Sequence, residues 1–319
     1  MENISLRPAD PDRDFEEIGN LFLLEQGELA LETDLMVDYE IHKERIFCLT
    51  VAESEQGELL GFNWATQNRF DGNQAYFFII VKPEYRLQGV GHLLYENIEH
   101  AAQKRHIKRL EVTIQDTCSK CRAFAEKRAY TEEAHFIELA LDLHAFDEQA
   151  CNEITIRLKK EGFEFTSMEV LGNAEGAQRK LYLLNNSTSM EKIVPDDHHV
   201  WLFFEDFQKK VCQTDWYNPA GQIVAIDTIT GNWAAMSAIT RYQGSNYAHN
   251  LHTGVDKRYL GRNLAQATLS LALRYARDVL AVKSVHTDEN VENLPALSLY
   301  KNLGYVQMPG TLVMKKVLG

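Results

Sequence analysis

Residues 81–91 read VKPEYRLQGVG and join an apolar run, AYFFIIV (75–81), to an amphipathic stretch, GHLLYENIEHAAQKR (91–105). A strand that turns into a helix through Arg86-x-x-Gly89-x-Gly91 leaves the first amide groups of the helix unpaired, with the positive end of the helix dipole behind them. Such a junction receives an anion. Glycine lets the main chain turn and lets a phosphate approach without a Cβ in the way, and Arg86 adds a charge-assisted donor. The same setting recurs at 255–265, VDKRYLGRNLA, again between a strand-like run and an amphipathic stretch.

Two such loops in 319 residues fit two domains of similar size. The expected division is 1–145 and 146–319, just before the helical DEQACNEITIRLKKEG (147–162). With 45% hydrophobic and 25% charged residues, the composition is that of a globular chain able to bury real cores. A formal net charge of −13 opposes a nucleic-acid partner and favours a cationic small substrate over an anionic one. No apolar run approaches the ~18–20 residues of a membrane span. The opening MENISLRPADPDRDFEE lacks the basic start and apolar core of a signal peptide, so a cytoplasmic location and no membrane partner are expected. Five cysteines are few, and Cys118-Ser-Lys-Cys121 has no second ligand pair to complete a zinc site, so two ordinary thiols on a short helix are expected.

In the first half, NISLRPA, IFCLTVAE, LLGFNWATQ and AYFFIIV read as strands, with a helix from Asp14 to about Glu25 after the first and turns EQGE and DGNQ between the others. After the glycine loop come a helix, a strand RLEVTI, a short helix CRAFAEKR and a strand HFIELALDL. The second half repeats the order: strand FEFTSMEVL, helices near 176–186 and 198–212, strands QIVAID, WAAMSAITRY and YAHNLHTGV, the loop, a helix over 264–277, strand VKSVHT, helix LPALSLYKNLG and a final strand YVQMPGTLVMKKV. The cluster PDDHHV (195–200) reads as a helix cap at Asp196 or Asp197, because adjacent side chains do not converge easily on one metal ion. DWYNPAG (215–221) reads equally as a substrate-facing lid or as an aromatic-anchored loop.

The first loop matches neither the Walker lysine pattern nor the three-glycine dinucleotide fingerprint. With Val81-Lys-Pro83-Glu-Tyr85-Arg86-Leu87-Gln88-Gly89-Val90-Gly91, the chain resembles the GCN5-related N-acetyltransferases, whose signature is Arg/Gln-x-x-Gly-x-Gly/Ala after Val-x-Pro-x-Tyr. The second loop departs from it, with Leu260-Gly261-Arg262-Asn263-Leu264-Ala265 placing leucine at the arginine and asparagine at the first signature glycine. Asparagine tolerates left-handed backbone better than other non-glycine residues, and the amides remain, so binding there is weakened rather than lost. The resemblance covers nearly the whole chain and is similar in layout to the tandem acetyltransferases that include mycothiol synthase. It implies the α/β (α+β) class: two tandem acyl-CoA N-acyltransferase domains, each a mixed, mostly antiparallel sheet flanked by helices. It also implies that both loops cradle the diphosphate of acetyl-CoA, and that Val81 and Val255 end strands that splay from a neighbour to admit pantetheine. No metal is implied.

Transfer of an acetyl group to an amine needs a free lone pair, a polarised carbonyl and a proton for the departing thiolate. Histidine, with an ordinary pKa of about 6.5, suits the base. In the resembled family a base often sits six positions before the valine, at His249; strand alternation places it on the face of Leu251, Thr253 and Val255, with His252, the second candidate, opposite. A structural hydrogen bond accounts equally for either histidine. NLPALSLYKNLGY matches the family's Asn-x-x-Ala-x-x-Leu-Tyr-x-x-x-Gly-Phe/Tyr pattern through Asn293, Ala296, Leu299, Tyr300, Gly304 and Tyr305, which implies cofactor contact for Asn293 and a general-acid role for Tyr300. The first half has Ala75 at the base position, Ala125 at the tyrosine and Cys118 at the asparagine. The second domain is therefore expected to carry catalysis on a small-molecule or peptide amine, and the first either to bind cofactor without turnover or to shape the substrate groove. A non-catalytic sensor of CoA or an acylated ligand is the alternative.

Overall fold

The computed structural model describes residues 4–26, 32–68, 71–189 and 201–319. The chain divides into two compact units, Met1–Glu133 with Leu312–Gly319, and Ala134–Thr311.

The first unit runs β1 (Ser5–Pro8), α1 (Pro11–Gln26), α2 (Glu32–His42), β2 (Ile46–Glu53), β3 (Leu59–Gln67), β4 (Gln74–Val81), α3 (Val90–Lys104), β5 (Arg109–Gln115) and α4 (Ser119–Glu126). β1 to β4 pair as consecutive antiparallel neighbours, and β5 joins β4 in parallel. A parallel neighbour requires a crossover, and α3 supplies it. The buried residues Val90, Leu94, Tyr95, Ile98 and Ala102 line one helical stripe of α3. That stripe meets Ala65, Ala75, Phe77 and Leu110 of the sheet. Phe15, Ile18 and Leu21 of α1 cover the sheet's other side through Val51, Phe62 and Trp64. Burial of each such side chain contributes roughly 1.5–3 kcal/mol.

The chain continues through β6 (Thr131–Asp142), α5 (Glu148–Lys160), β7 (Phe163–Ser167), α6 (Glu175–Ser189), α7 (Phe204–Phe207), β8 (Gln222–Asp227), β9 (Trp233–Thr240), β10 (Ala248–Val255), α8 (Leu264–Asp278), β11 (Ser284–Asn290), α9 (Leu294–Asn302), β12 (Val306–Gln307) and β13 (Thr311–Val317). From β7 to α9 the order of the first unit is repeated. β7 to β10 are antiparallel neighbours and β11 lies parallel to β10.

The division differs from the expected 1–145 and 146–319 because the units trade their last strands. From Ala134 onward β6 belongs to the second unit, where it pairs antiparallel with β11 from Ser284↔Asp142 to Asn290↔Phe136. β13 closes the first unit's sheet beside β5. Leu312 and Met314 are buried there with Leu110 and Tyr130.

Other departures have local causes. The expected final strand is broken into β12 and β13: Pro309 has no N–H for a ladder, and a Cβ on Gly310 would strike the Phe136 carbonyl. FEFTSMEVL ends as a strand at Ser167, after which Asn173 N–H turns back to Met168 O. The expected helix at 198–212 is α7 followed by a π-helical turn, Gln208–Cys212, and its start, like PDDHHV, lies outside the described residues. The two thiols at α4 are corrected to a disulfide between Cys118 and Cys121. Their three-residue spacing brings the side chains together at the start of one helical turn, where Cys118 is also the N-cap.

Candidate active site

In the second unit β10 and β9 pair from His249↔Thr240 to Val255↔Ala235, with a bulge at Leu251 between Asn250↔Ile239 and His252↔Ala238. Directly paired residues share a face of the sheet. Thr240 and Ala238 are two apart on β9, so His249 and His252 lie on one face, while Asn250, Thr253 and Val255 lie on the other with Ile239, Ser237 and Ala235. The extra residue reverses the alternation expected from HNLHTGV. His249 therefore shares its side with His252 and is opposite to Thr253 and Val255.

The two faces have different partners. On the first, buried His252 meets α6 through a 2.8 Å hydrogen bond between Nε2 and Thr188 Oγ1. On the second, Tyr300 of α9 is buried and its hydroxyl donates to Asn250 Oδ1 at 3.2 Å. Thr253 Oγ1 donates to the same oxygen at 3.1 Å, and Asn250 Nδ2 donates to Ala238 O at 3.0 Å. Burial pushes the Tyr300 phenol up from its ordinary value and the charge of Glu289 adds to this, while the Thr287 and Thr253 hydroxyls pull partly back. The phenol is thus a neutral donor at pH 7. Asn293 caps α9 by accepting from Ala296 N–H and donates to Glu289 Oε1 at 3.0 Å.

β10 and β11 pair in parallel only at Ala248↔Val285 and His249↔His286. Beyond that point the strands part into a fork. Tyr300 reaches Asn250 at the crotch from the helix side, and His249 and His286 stand at it on the α6 side. The His249 ring meets Tyr242 at 5.2 Å and Tyr247 at 4.8 Å between centroids. The first unit has the same fork: β4 and β5 pair only over Gln74↔Arg109, Ala75↔Leu110 and Tyr76↔Glu111.

At the far end of each fork lies a glycine loop. In the first unit Leu87 (φ 62°) and Gly89 (φ 96°) are left-handed. In the second, Gly261 (φ 76°) and Asn263 (φ 67°) occupy the corresponding positions with the same sign. Residues 86–89 and 260–263 are exposed. Among the described residues, the amides of 87–91 and of 261–265 donate to no protein acceptor. Val90 and Leu264 open the helices as buried anchors, followed by Gly91 and Ala265. Arg86 is exposed and its Nε donates to Val81 O at 3.0 Å. In the second unit, Arg157 of α5 donates to Asn263 Oδ1 at 3.2 Å, and Arg262 leans toward the Phe163 ring.

The bulge also alters the comparison between units. β4 has no matching bulge, so the first unit's counterpart of His249 is Tyr76, paired to Thr66 as His249 is to Thr240, and not Ala75. The counterpart of His286 is Glu111, which is buried and accepts from Gln74 Nε2 at 2.9 Å. Ala125 stands for Tyr300, and Cys118 caps its helix as Asn293 does, accepting from Cys121 N–H at 3.2 Å.

Sequence reasoning missed His286, Glu138, Asn250 and Tyr247. Register would have indicated His286 once β10 and β11 were taken as parallel partners; Glu138 was unreachable while β6 was assigned to the first domain. DWYNPAG is anchored: Tyr217 is buried and Asn218 Nδ2 donates to Tyr275 Oη at 2.6 Å. No helix among the described residues is long and apolar enough to cross a membrane.

The chain belongs to the acetyltransferase (GNAT) family, whose model matches residues 15–130 and again 188–305. It is an acyltransferase-family chain with tandem domains, each a mixed sheet flanked by helices. A GCN5-related N-acetyltransferase from Sphaerobacter thermophilus is similar in fold, at 18% identity and a TM-score of 0.72 over 98% of this chain and 95% of that one. A tandem GNAT protein from the clavulanic acid biosynthesis pathway matches at 16% identity and 0.69 over 99% of both. A glucosamine N-acetyltransferase region of a fungal multi-domain β-N-acetylglucosaminidase matches at 16% identity and 0.73, over 99% of this chain and 38% of that one. Among curated protein sequences, none matches this chain.

Proposed function

We propose that the second unit transfers an acetyl group from acetyl-CoA to a primary amine of a small molecule or peptide, directly in a ternary complex. Amides at 86–91 and 260–265 hold the diphosphate in each unit, with the main chain at Val81 and Val255 beside the pantetheine arm and Asn293 at the start of α9. The amine attacks the thioester carbonyl, His249 accepts a proton directly or through water, and Tyr300 donates one to the departing sulfur. The observation that carries this reading is the fork itself: a neutral, buried phenol on one side of the crotch and an imidazole on the other, below a loop of unpaired amides. Such a division gives an acid and a base separate access to one reacting centre. The chain's formal net charge of −13 supports action on an amine that arrives as a cation.

The test is thioester consumption with a panel of primary amines, comparing the natural protein with His249→Ala and Tyr300→Phe. Normal turnover in both variants would remove the chemistry from the second unit.

A second reading has its own support. The first unit has the fuller glycine loop but Tyr76 and Ala125 in place of an imidazole and a phenol, the composition of a CoA- or acyl-CoA-binding module that regulates rather than reacts. Calorimetry separates the readings: a sensor binds cofactor and releases no thiol with any amine.

A further inference from the structure

Acetylation of an alkylamine has a proton count that one base does not satisfy. The acceptor arrives as R–NH3+, and the balance is R–NH3+ plus acetyl-CoA giving R–NH–CO–CH3, CoA–SH and H+. One proton leaves nitrogen before attack, to free the lone pair. A second leaves as the N–C bond forms and the C–S bond breaks, and one arrives at sulfur. Tyr300 and His249 account for the last two transfers. The first needs its own acceptor.

We propose that His286, oriented by Glu138, takes the proton that converts the arriving ammonium into a nucleophile. This rests on the acyl-transfer reading above. His286 is register-paired with His249 at the crotch and shares its face. Glu138 comes from the next strand, on the same face through the pair Asp288↔Glu138, and its Oε1 lies 2.5 Å from His286 Nδ1. A carboxylate on Nδ1 places the neutral ring's hydrogen there and leaves Nε2 as the basic nitrogen. That nitrogen is 3.3 Å from Ser284 Oγ, a hydroxyl able to pass a proton on. The Tyr247 ring lies between the two imidazoles, 4.1 Å from His286 and 4.8 Å from His249.

The charges around His286 favour the role. The titratable groups on its face are Glu138 and Asp142 on β6, Asp288 on β11, and His249 and Tyr247 around the start of β10, with Tyr242 against the His249 ring. Among the described residues, neither Glu138 nor Asp288 is paired with a lysine or arginine. The carboxylates of Glu138 and Asp288, with the Tyr247 ring beside them, attract an ammonium. Asp288 is exposed on this face, and its carboxyl is pushed up by desolvation and by Glu138 while His286 pulls it partly back.

The test uses acetyl-CoA with two acceptors: 1,3-diaminopropane, which is charged at neutral pH, and hydroxylamine, which is largely neutral there. His286→Asn is expected to lose about 100-fold in kcat/KM toward the diamine near pH 7, to lose little toward hydroxylamine, and to recover with the diamine as pH rises toward about 9.5 and solution supplies the free base. His249→Asn is expected to lose rate with both acceptors, without recovery. Glu138→Gln should reproduce the His286→Asn pattern in milder form, and Glu138→Asp, which keeps a carboxylate, should return most of the rate toward the diamine; these two carry the test if His286→Asn does not fold. Equal losses with both acceptors at every pH, or no loss with either, overturn the proposal. A natural protein that transfers to neither nucleophile overturns the acyl-transfer reading and, with it, this one.

Discussion

The two glycine loops have kept their backbone and exchanged their residues. Each has two left-handed positions, and each fills one of them with glycine: Gly89 in the first unit, Gly261 in the second. The other position holds Leu87 in one loop and Asn263 in the other. What the two loops share is the set of outward amides; the residues that present them differ. The forks diverge further, with Tyr76 for His249, Glu111 for His286 and Ala125 for Tyr300. The geometry that would hold a diphosphate is thus doubled, whereas the side chains that would move protons are gathered in one unit.

Removing the proposed acid should break that asymmetry most. Tyr300→Phe is expected to lower kcat by about 100-fold while costing only about 1 kcal/mol of stability, because one hydroxyl bonded to Asn250 is lost from a packed ring. Thioester consumption measures the first quantity and urea unfolding the second. The reverse change in the first unit, Ala125→Tyr, should confer no transfer on a variant already carrying Tyr300→Phe, since Tyr76 is no base at neutral pH. Activity in that double variant would mean the first unit had lost only its acid.

A stability contrast comes next. Gly254 lies under α6, where an added Cβ would come 2.5 Å from Thr188 Cβ and 2.7 Å from His252 Nε2. Its first-unit counterpart is Ile80, a large side chain packed with α1. Gly254→Ala should therefore destabilise the second unit by about 1–3 kcal/mol through overpacking, read as a lower urea midpoint. The same change should disturb His252, which the fold uses to tie β10 to α6, without altering the His249–Tyr247 contact. His252→Ala is accordingly expected to cost stability and spare most of the rate, the opposite of His249→Ala.

These contrasts follow physical lines that the sequence displays unevenly. Short-range signals were legible: the glycine loops, the Asn293-to-Tyr305 pattern and the repeated order of elements all depend on residues within one turn or one strand of each other. The bulge at Leu251 was not, because nothing in HNLHTGV distinguishes a regular strand from one with an extra residue; only pairing to β9 does. That single residue moved His249 to the side opposite Thr253 and Val255 and changed which first-unit residue matches it. Glu138 was hidden for a longer-range reason. Reading along the chain puts HFIELALDL with the strands before it, yet hydrogen bonding sends β6 to β11 and brings β13 back to β5. The carboxylate that meets His286 therefore comes from a strand encoded about 150 residues away. The disulfide at α4 and the break at Pro309-Gly310 were visible as residues and were read too regularly.

The smallest expected effect probes the loops alone, where two costs of similar size compete. Leu87 is almost fully exposed, so Leu87→Gly forfeits little burial. A left-handed non-glycine residue costs about 1–2 kcal/mol, and glycine's extra freedom in the unfolded chain returns roughly 0.5–1 kcal/mol of that. Leu87→Gly should therefore raise stability by about 0.5 kcal/mol. Asn263→Gly starts from a residue better suited to the same region and also loses the Arg157 contact at 3.2 Å, so it should leave stability unchanged or slightly lower. Thermal unfolding of the two single variants gives the order. If Asn263→Gly proves the more stabilising change, the second loop is the more strained of the two, and its weaker resemblance to the family signature reflects strain in the backbone and not the mere exchange of one tolerated residue for another.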